Sequence, residues 1–142
     1  MAATHEITTH WLGDMAFEST NPSGKTLKID AGPEDGGQGD GLRPKALMLS
    51  GLAGCSGLDV ASLIKKMRLE VDDFRMETRG ELSDSHPQTY TKVTLEYHFT
   101  GGNLNREKLE KAVELSVEKY CGVFAMFRDF AEMNTELFFH AS

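Results

Sequence analysis

A chain of 142 residues is the size of one domain with room for a core, and its formal charge of −7 argues against nucleic acid or an anionic membrane surface as a partner. Two cysteines 66 positions apart (121 − 55), with no CxxC pair, exclude a disulfide scaffold, a thioredoxin-type motif and a paired zinc site, and no metal is expected. His5, Glu6 and His10 break any apolar run at the start, so no secretory signal is expected and a cytoplasmic protein is the default.

Residues 5–11 and 15–20 carry β-formers on either side of Gly13-Asp14 and predict two strands. Asn21-Pro22-Ser23-Gly24 predicts a turn, and 25–30 a third strand, giving an antiparallel meander. Residues 31–41, AGPEDGGQGDG, hold five glycines in eleven positions and predict a flexible connector.

The segment that organises the chain follows, RPKALMLSGLAGCSGLDVASLIKKMR at 43–68. Pro44 suits a first helical turn, and Lys65, Lys66 and Arg68 collect at the end that favours cations. No charge occurs from Ala46 to Leu58, a run short of the roughly 20 residues a bilayer needs, so a buried core helix is expected, wrapped on most sides by other elements. Gly51, Gly54 and Gly57 each cost about 1 kcal/mol against alanine in a helix, and their spacing predicts a groove for another backbone, such as the helix ending at Cys121. Asp59 is a carboxylate in apolar surroundings and should be hydrogen-bonded or paired, either as structure or as a lining group of a site.

From 73 to 82 and again from 92 to 99, apolar and charged residues alternate around the SDSHPQ turn at 83–88, which predicts a long hairpin with one wet face. His98 falls on that wet face and His86 in the turn; either has the chemistry for acid–base work near neutral pH. Gly101-Gly102 ends the hairpin, and Asn103 or Asn105 can cap a helix striped by Leu109, Ala112, Val113, Ser116, Val117 and Tyr120. Cys121 ends the stripe, and Gly122 permits a break before a short helix with Phe124, Phe127 and Phe130. The amides at that second helix start would help hold a thiolate on Cys121. A last strand is expected at 135–140. The order predicts a single α+β domain over 1–142, an antiparallel sheet wrapped around the long helix.

Two thiols on two helices fit either two inert buried side chains or a peroxidatic and resolving pair, in which one thiolate attacks a peroxide and the other condenses with the sulfenic acid. Spacing leaves the Cα separation open, and a disulfide requires about 6 Å. Cys55, mid-helix with Asp59 one turn on, has no cation beside it in the local sequence.

The AGC block at 53–55, the hairpin, and VELSVEKYCGV at 113–123 resemble the OsmC/Ohr family of osmotically inducible and organic hydroperoxide resistance proteins, most of all its YhfA-type branch. The resemblance spans nearly the whole chain. It implies an intertwined homodimer with two interface sites, reduction of organic hydroperoxides without a bound cofactor, and an external thiol reductant such as a dihydrolipoyl or other dithiol donor. It places Cys55 at the peroxidatic position and Cys121 at the resolving one. The family's peroxidases carry Asn-Pro-Glu ahead of the cysteine and an arginine in the N-terminal strands; here Lys45 stands at the glutamate's place, and Asp14-Met15-Ala16-Phe17 offers no arginine. Arg43 and Lys45 are the candidate substitutes for stabilising the thiolate, and Asp59 and Tyr120 the candidate lining residues. Loss of the Arg/Glu pair also leaves a second expectation open, a non-peroxidatic module that binds a small apolar or thiol-reactive ligand in the same interface cavity.

Overall fold

The computed structural model describes residues 2–142. It is a mixed α+β structure with two three-stranded sheets, and it separates into two compact units, one ending at Met48 and the other running Leu49–Ser142.

In the first unit, β1 (Thr8–Gly13), β2 (Ala16–Thr20) and β3 (Thr26–Asp30) form the expected meander, β1-β2-β3, both pairs antiparallel. Gly13 and Asp14 take positive φ angles of 103° and 49°, which the β1–β2 turn demands and which Gly and Asp tolerate. The glycine-rich stretch is more ordered than composition suggests. Pro33–Asp35 forms a 3₁₀ turn, and the buried Asp30 carboxylate accepts the Gln38 and Asp40 amides, each at 3.1 Å, folding the segment back on β3. The Asp40 amide heads the influences that hold the Asp30 carboxyl below its ordinary range.

Helix α1 spans Pro44–Lys66, with Lys65 and Lys66 in its last turn as predicted. It ends two residues before Arg68, which adopts a left-handed φ of 54° while the Leu69 amide reaches back to the Ile64 carbonyl at 2.9 Å; this closure usually employs glycine. Only Leu52, Ser56 and Val60 are buried on α1, one stripe at i, i+4, i+8. The expected burial on most sides is therefore not met within the chain, and Leu58 is 74% exposed. The helix as a whole is long and apolar enough to cross a membrane, a test that core helices also pass. Nor do the glycines dock the helix ending at Cys121: a side chain at Gly51 or Gly54 would meet nothing within 4 Å, and one at Gly57 would meet the Met76 sulfur.

The second unit holds β4 (Asp73–Leu82), β5 (Tyr90–Thr100) and β6 (Glu132–His140) in that order. Strands β4 and β5 pair antiparallel as the alternation predicts. The last strand departs from the expected all-antiparallel arrangement: β6 runs parallel to β5, because the helical connection between them returns the chain to the same end of the sheet. That connection comprises α2 (Arg106–Leu115), capped by the Asn105 side chain on the Lys108 amide at 3.1 Å, a π-helical turn at Ser116–Tyr120, and α3 (Gly122–Arg128). Val93, Leu95, Tyr97 and Phe99, inward on the central strand, are fully buried against Leu52, Val60, Leu109, Val113, Phe124 and Phe127. Each such large apolar side chain contributes about 1.5–3 kcal/mol by leaving water.

Candidate functional site

The site lies within residues 49–142, where α1, β5 and the end of α2 meet. Helical spacing puts Ser56 on the buried stripe of α1, and strand alternation points Tyr97 inward from β5. Their hydroxyl oxygens are 2.6 Å apart. Ser116, also fully buried, lies 2.8 Å from Ser56 through its own hydroxyl and donates to Asp59 Oδ2 at 3.0 Å. An ionised carboxylate only accepts, and each hydroxyl has one proton to give. The protons therefore run one way, Tyr97 to Ser56 to Ser116 to Asp59. Burial is the main cause that pushes the Tyr97 phenol up to about 12, which keeps it a donor at the head of the chain. The expectation that Asp59 must be hydrogen-bonded is met by Ser116.

The two thiols meet beside this chain. Both are free; Cys121 is 3% exposed and Cys55 half-buried. Cys121 follows the π turn, whose widened ladder runs from its amide to the Ser116 carbonyl at 2.7 Å, and it caps α3 by accepting the Phe124 amide at 3.3 Å. Burial pushes its thiol up to about 11. The Phe124 amide pulls the other way, while a hydrogen bond with Cys55 and the charge of Asp59 add to the rise. The amide expected to hold a thiolate on Cys121 is thus present but outweighed by desolvation, and Cys121 keeps its proton at neutral pH.

Asp59 and Tyr120 line one cleft of about 370 Å³ with Ser62, Leu63 and Lys66. Tyr120 is 52% exposed because the π turn carries it off the apolar stripe of α2 on which sequence spacing placed it. Arg43 and Lys45 lie outside the unit that holds the thiols. The Arg43 guanidinium is committed to the Gly41 carbonyl at 3.1 Å and the Asp30 carbonyl at 3.4 Å. Sequence spacing missed the hydroxyls of Ser56, Tyr97 and Ser116. The available signal was serine recurring at positions whose helical neighbours are apolar.

His98 corrects another expectation. It does face outward from β5, yet it is 7% exposed, because its ring stacks on Phe138 at 4.6 Å and on His140 at 5.1 Å. A central strand is covered by its neighbours on both faces, which alternation alone does not register.

Residues 37–136 match the family model described as OsmC-like protein, and the chain belongs to that family. Over 117 residues it is 32% identical to Protein YhfA of Escherichia coli K12, covering 82% of this chain and 84% of YhfA. The crystal structure of a hypothetical protein from Aquifex aeolicus superposes with a TM-score of 0.86 at 28% identity, covering 99% of each chain. The organic hydroperoxide resistance protein OhrB of Bacillus subtilis shares the fold at a TM-score of 0.64 and 24% identity, over 95% of this chain and 98% of OhrB.

Proposed function

We propose that the protein is a thiol-dependent peroxidase for organic hydroperoxides that serves in oxidative-stress defence. The observation that carries this reading is the packing of Cys55 against the cluster that holds Cys121, with Cys121 held as a thiol. The Cys55 sulfur attacks the outer peroxide oxygen; the O–O bond breaks, the sulfur takes the hydroxyl and becomes a sulfenic acid, and the thiol proton passes to the alkoxide, which leaves as the alcohol. The Cys121 sulfur then attacks the Cys55 sulfur, forming the disulfide and releasing water, its proton leaving with the hydroxyl. An external dithiol restores both thiols by exchange. Asp59, at the end of the hydroxyl chain, is the carboxylate placed to take or return a proton during these steps. Cumene hydroperoxide added to reduced protein is expected to consume two titratable thiols per chain, and none in Cys55→Ser. Persistence of both thiols under excess peroxide refutes the assignment.

The polar-walled cleft at Asp59 and Tyr120 supports a second reading, a binding module that captures a small ligand there without turnover. Ligand-induced thermal stabilisation that persists in Cys55→Ser favours that reading.

Two copies of the chain are proposed to pair through the open face of α1, which leaves Leu58 and the Gly54 surface uncovered. Gly54→Leu tests this by sedimentation. Helix propensity alone would make leucine stabilising by a little under about 1 kcal/mol, whereas a partner packed at Gly54 makes the change break the dimer. Unchanged dimerisation excludes this surface.

A further inference from the structure

The strand register of the second unit sets Glu77, Glu96 and Glu136 in one line across β4, β5 and β6 on the outward face. Like charges directly opposite one another destabilise a sheet, so the row requires positive centres. Arg79 supplies one by binding Glu96 through Oε2 and Glu136 at 3.4 Å, and Arg75 reaches Glu77 Oε2 at 2.9 Å. The Glu96 Oε1 atom is left to His98, whose Nε2 lies 2.7 Å away and 3.5 Å from Glu77 Oε2.

The imidazole is held for this contact. Phe138 stacks on it, and its other nitrogen, Nδ1, is 2.8 Å from His140 Nε2. When Nδ1–H donates to His140, the Nε2 lone pair points at two carboxylate oxygens, and only a proton or a metal ion at that point reconciles the three. The donor atoms of Glu77, Glu96 and His98 all lie within 4.8 Å of one another. Glu77 is exposed while His98 is buried, so one side of the cluster opens to water and the other is rigid.

We propose that this face of the sheet binds a divalent transition-metal ion such as zinc through His98 Nε2, Glu96 and Glu77, with His140 orienting the imidazole. One imidazole and two carboxylates with an open side suit a labile, water-accessible ion rather than a closed structural site. The exposed Arg75 yields Glu77 to the entering ion, while Arg79 keeps its hold on the outer oxygen of Glu96. This site shares no residue with the thiol pair and does not depend on the peroxidase reading.

The test uses the full chain as Cys55→Ser/Cys121→Ser, which removes thiols as competing ligands. Zinc is titrated against a chromogenic chelator, and cobalt(II) is followed by its visible absorption. One ion per chain is expected, with affinity lower by about tenfold or more in Glu77→Gln and in His98→Asn. Glu77→Gln is an exposed change that spares the fold, so it remains informative should His98→Asn unfold the sheet. No saturable uptake overturns the proposal, as does affinity unchanged in Glu77→Gln, which would place the ion on other histidines such as His5 and His10.

Discussion

In the Cys121→Ser protein, one equivalent of an alkyl hydroperoxide without reductant is expected to leave Cys55 as a sulfenic acid that dimedone traps once per chain, where the unaltered protein forms a disulfide and traps none. The expectation follows from the division of labour between the thiols. Burial pushes Cys121 up to about 11, so it waits as a thiol beside the sulfur that reacts first. The same shift makes Cys121 slow to alkylate from neutral pH to about 9 and faster as the pH approaches 11. It also sets a sign for stability. A thiol whose folded value lies above its unfolded one stabilises the fold fully below the unfolded value, and that contribution fades as pH rises through the window up to about 11. Dimedone on Cys121 of the Cys55→Ser protein, or an equal yield of adduct with and without Cys121, would reverse or abolish the assigned roles.

Ser56→Val is expected to be the most damaging substitution among the hydroxyl residues. Valine cannot accept from Tyr97 or donate to Ser116, so two buried groups lose a partner at 2.6 and 2.8 Å at once. Ser116 keeps its bond to Asp59 at 3.0 Å, whereas Tyr97 is stranded at a cost of about 1–3 kcal/mol, enough to lower Tm by roughly 5–10 °C. Tyr97→Phe removes only the first donor and costs at most about 1 kcal/mol, since Ser56 still donates to Ser116. The double variant Ser56→Ala/Tyr97→Phe should lose less than the sum of its parts. Thermal unfolding checks all of these; a neutral Ser56→Val would mean that water already satisfies these hydroxyls.

Much of this architecture is legible in the sequence where side-chain pattern alone decides it. Phe74, Met76 and Thr78 against Arg75, Glu77 and Arg79 announce β4, and the alternation from Val93 to Phe99 announces β5, because one face must avoid water and the other need not. The direction of β6 is not legible, since its own residues alternate equally well in a parallel or an antiparallel ladder. The covering of α1 is legible only as a demand: its uncharged residues call for burial, and a single chain meets that demand only at Leu52, Ser56 and Val60. At the site, both cysteines and Asp59 stand out by type, whereas Ser116 reads in the sequence only as a member of an apolar stripe. The line of Glu77, Glu96 and Glu136 exists only once the register of three strands is known.

The π turn at Ser116–Tyr120 has a consequence for what the site can contain. In a regular α-helix each residue advances about 100° around the axis, so two residues five apart lie about 140° out of phase, on nearly opposite sides. Here the amide of Cys121 returns to the carbonyl of Ser116 across that interval, and the turn closes with both ends inward. An unbroken helix could present the hydroxyl that leads to Asp59 or the thiol that meets Cys55, but not both. The irregularity is what allows one short segment to bring a proton path and a sulfur to the same place.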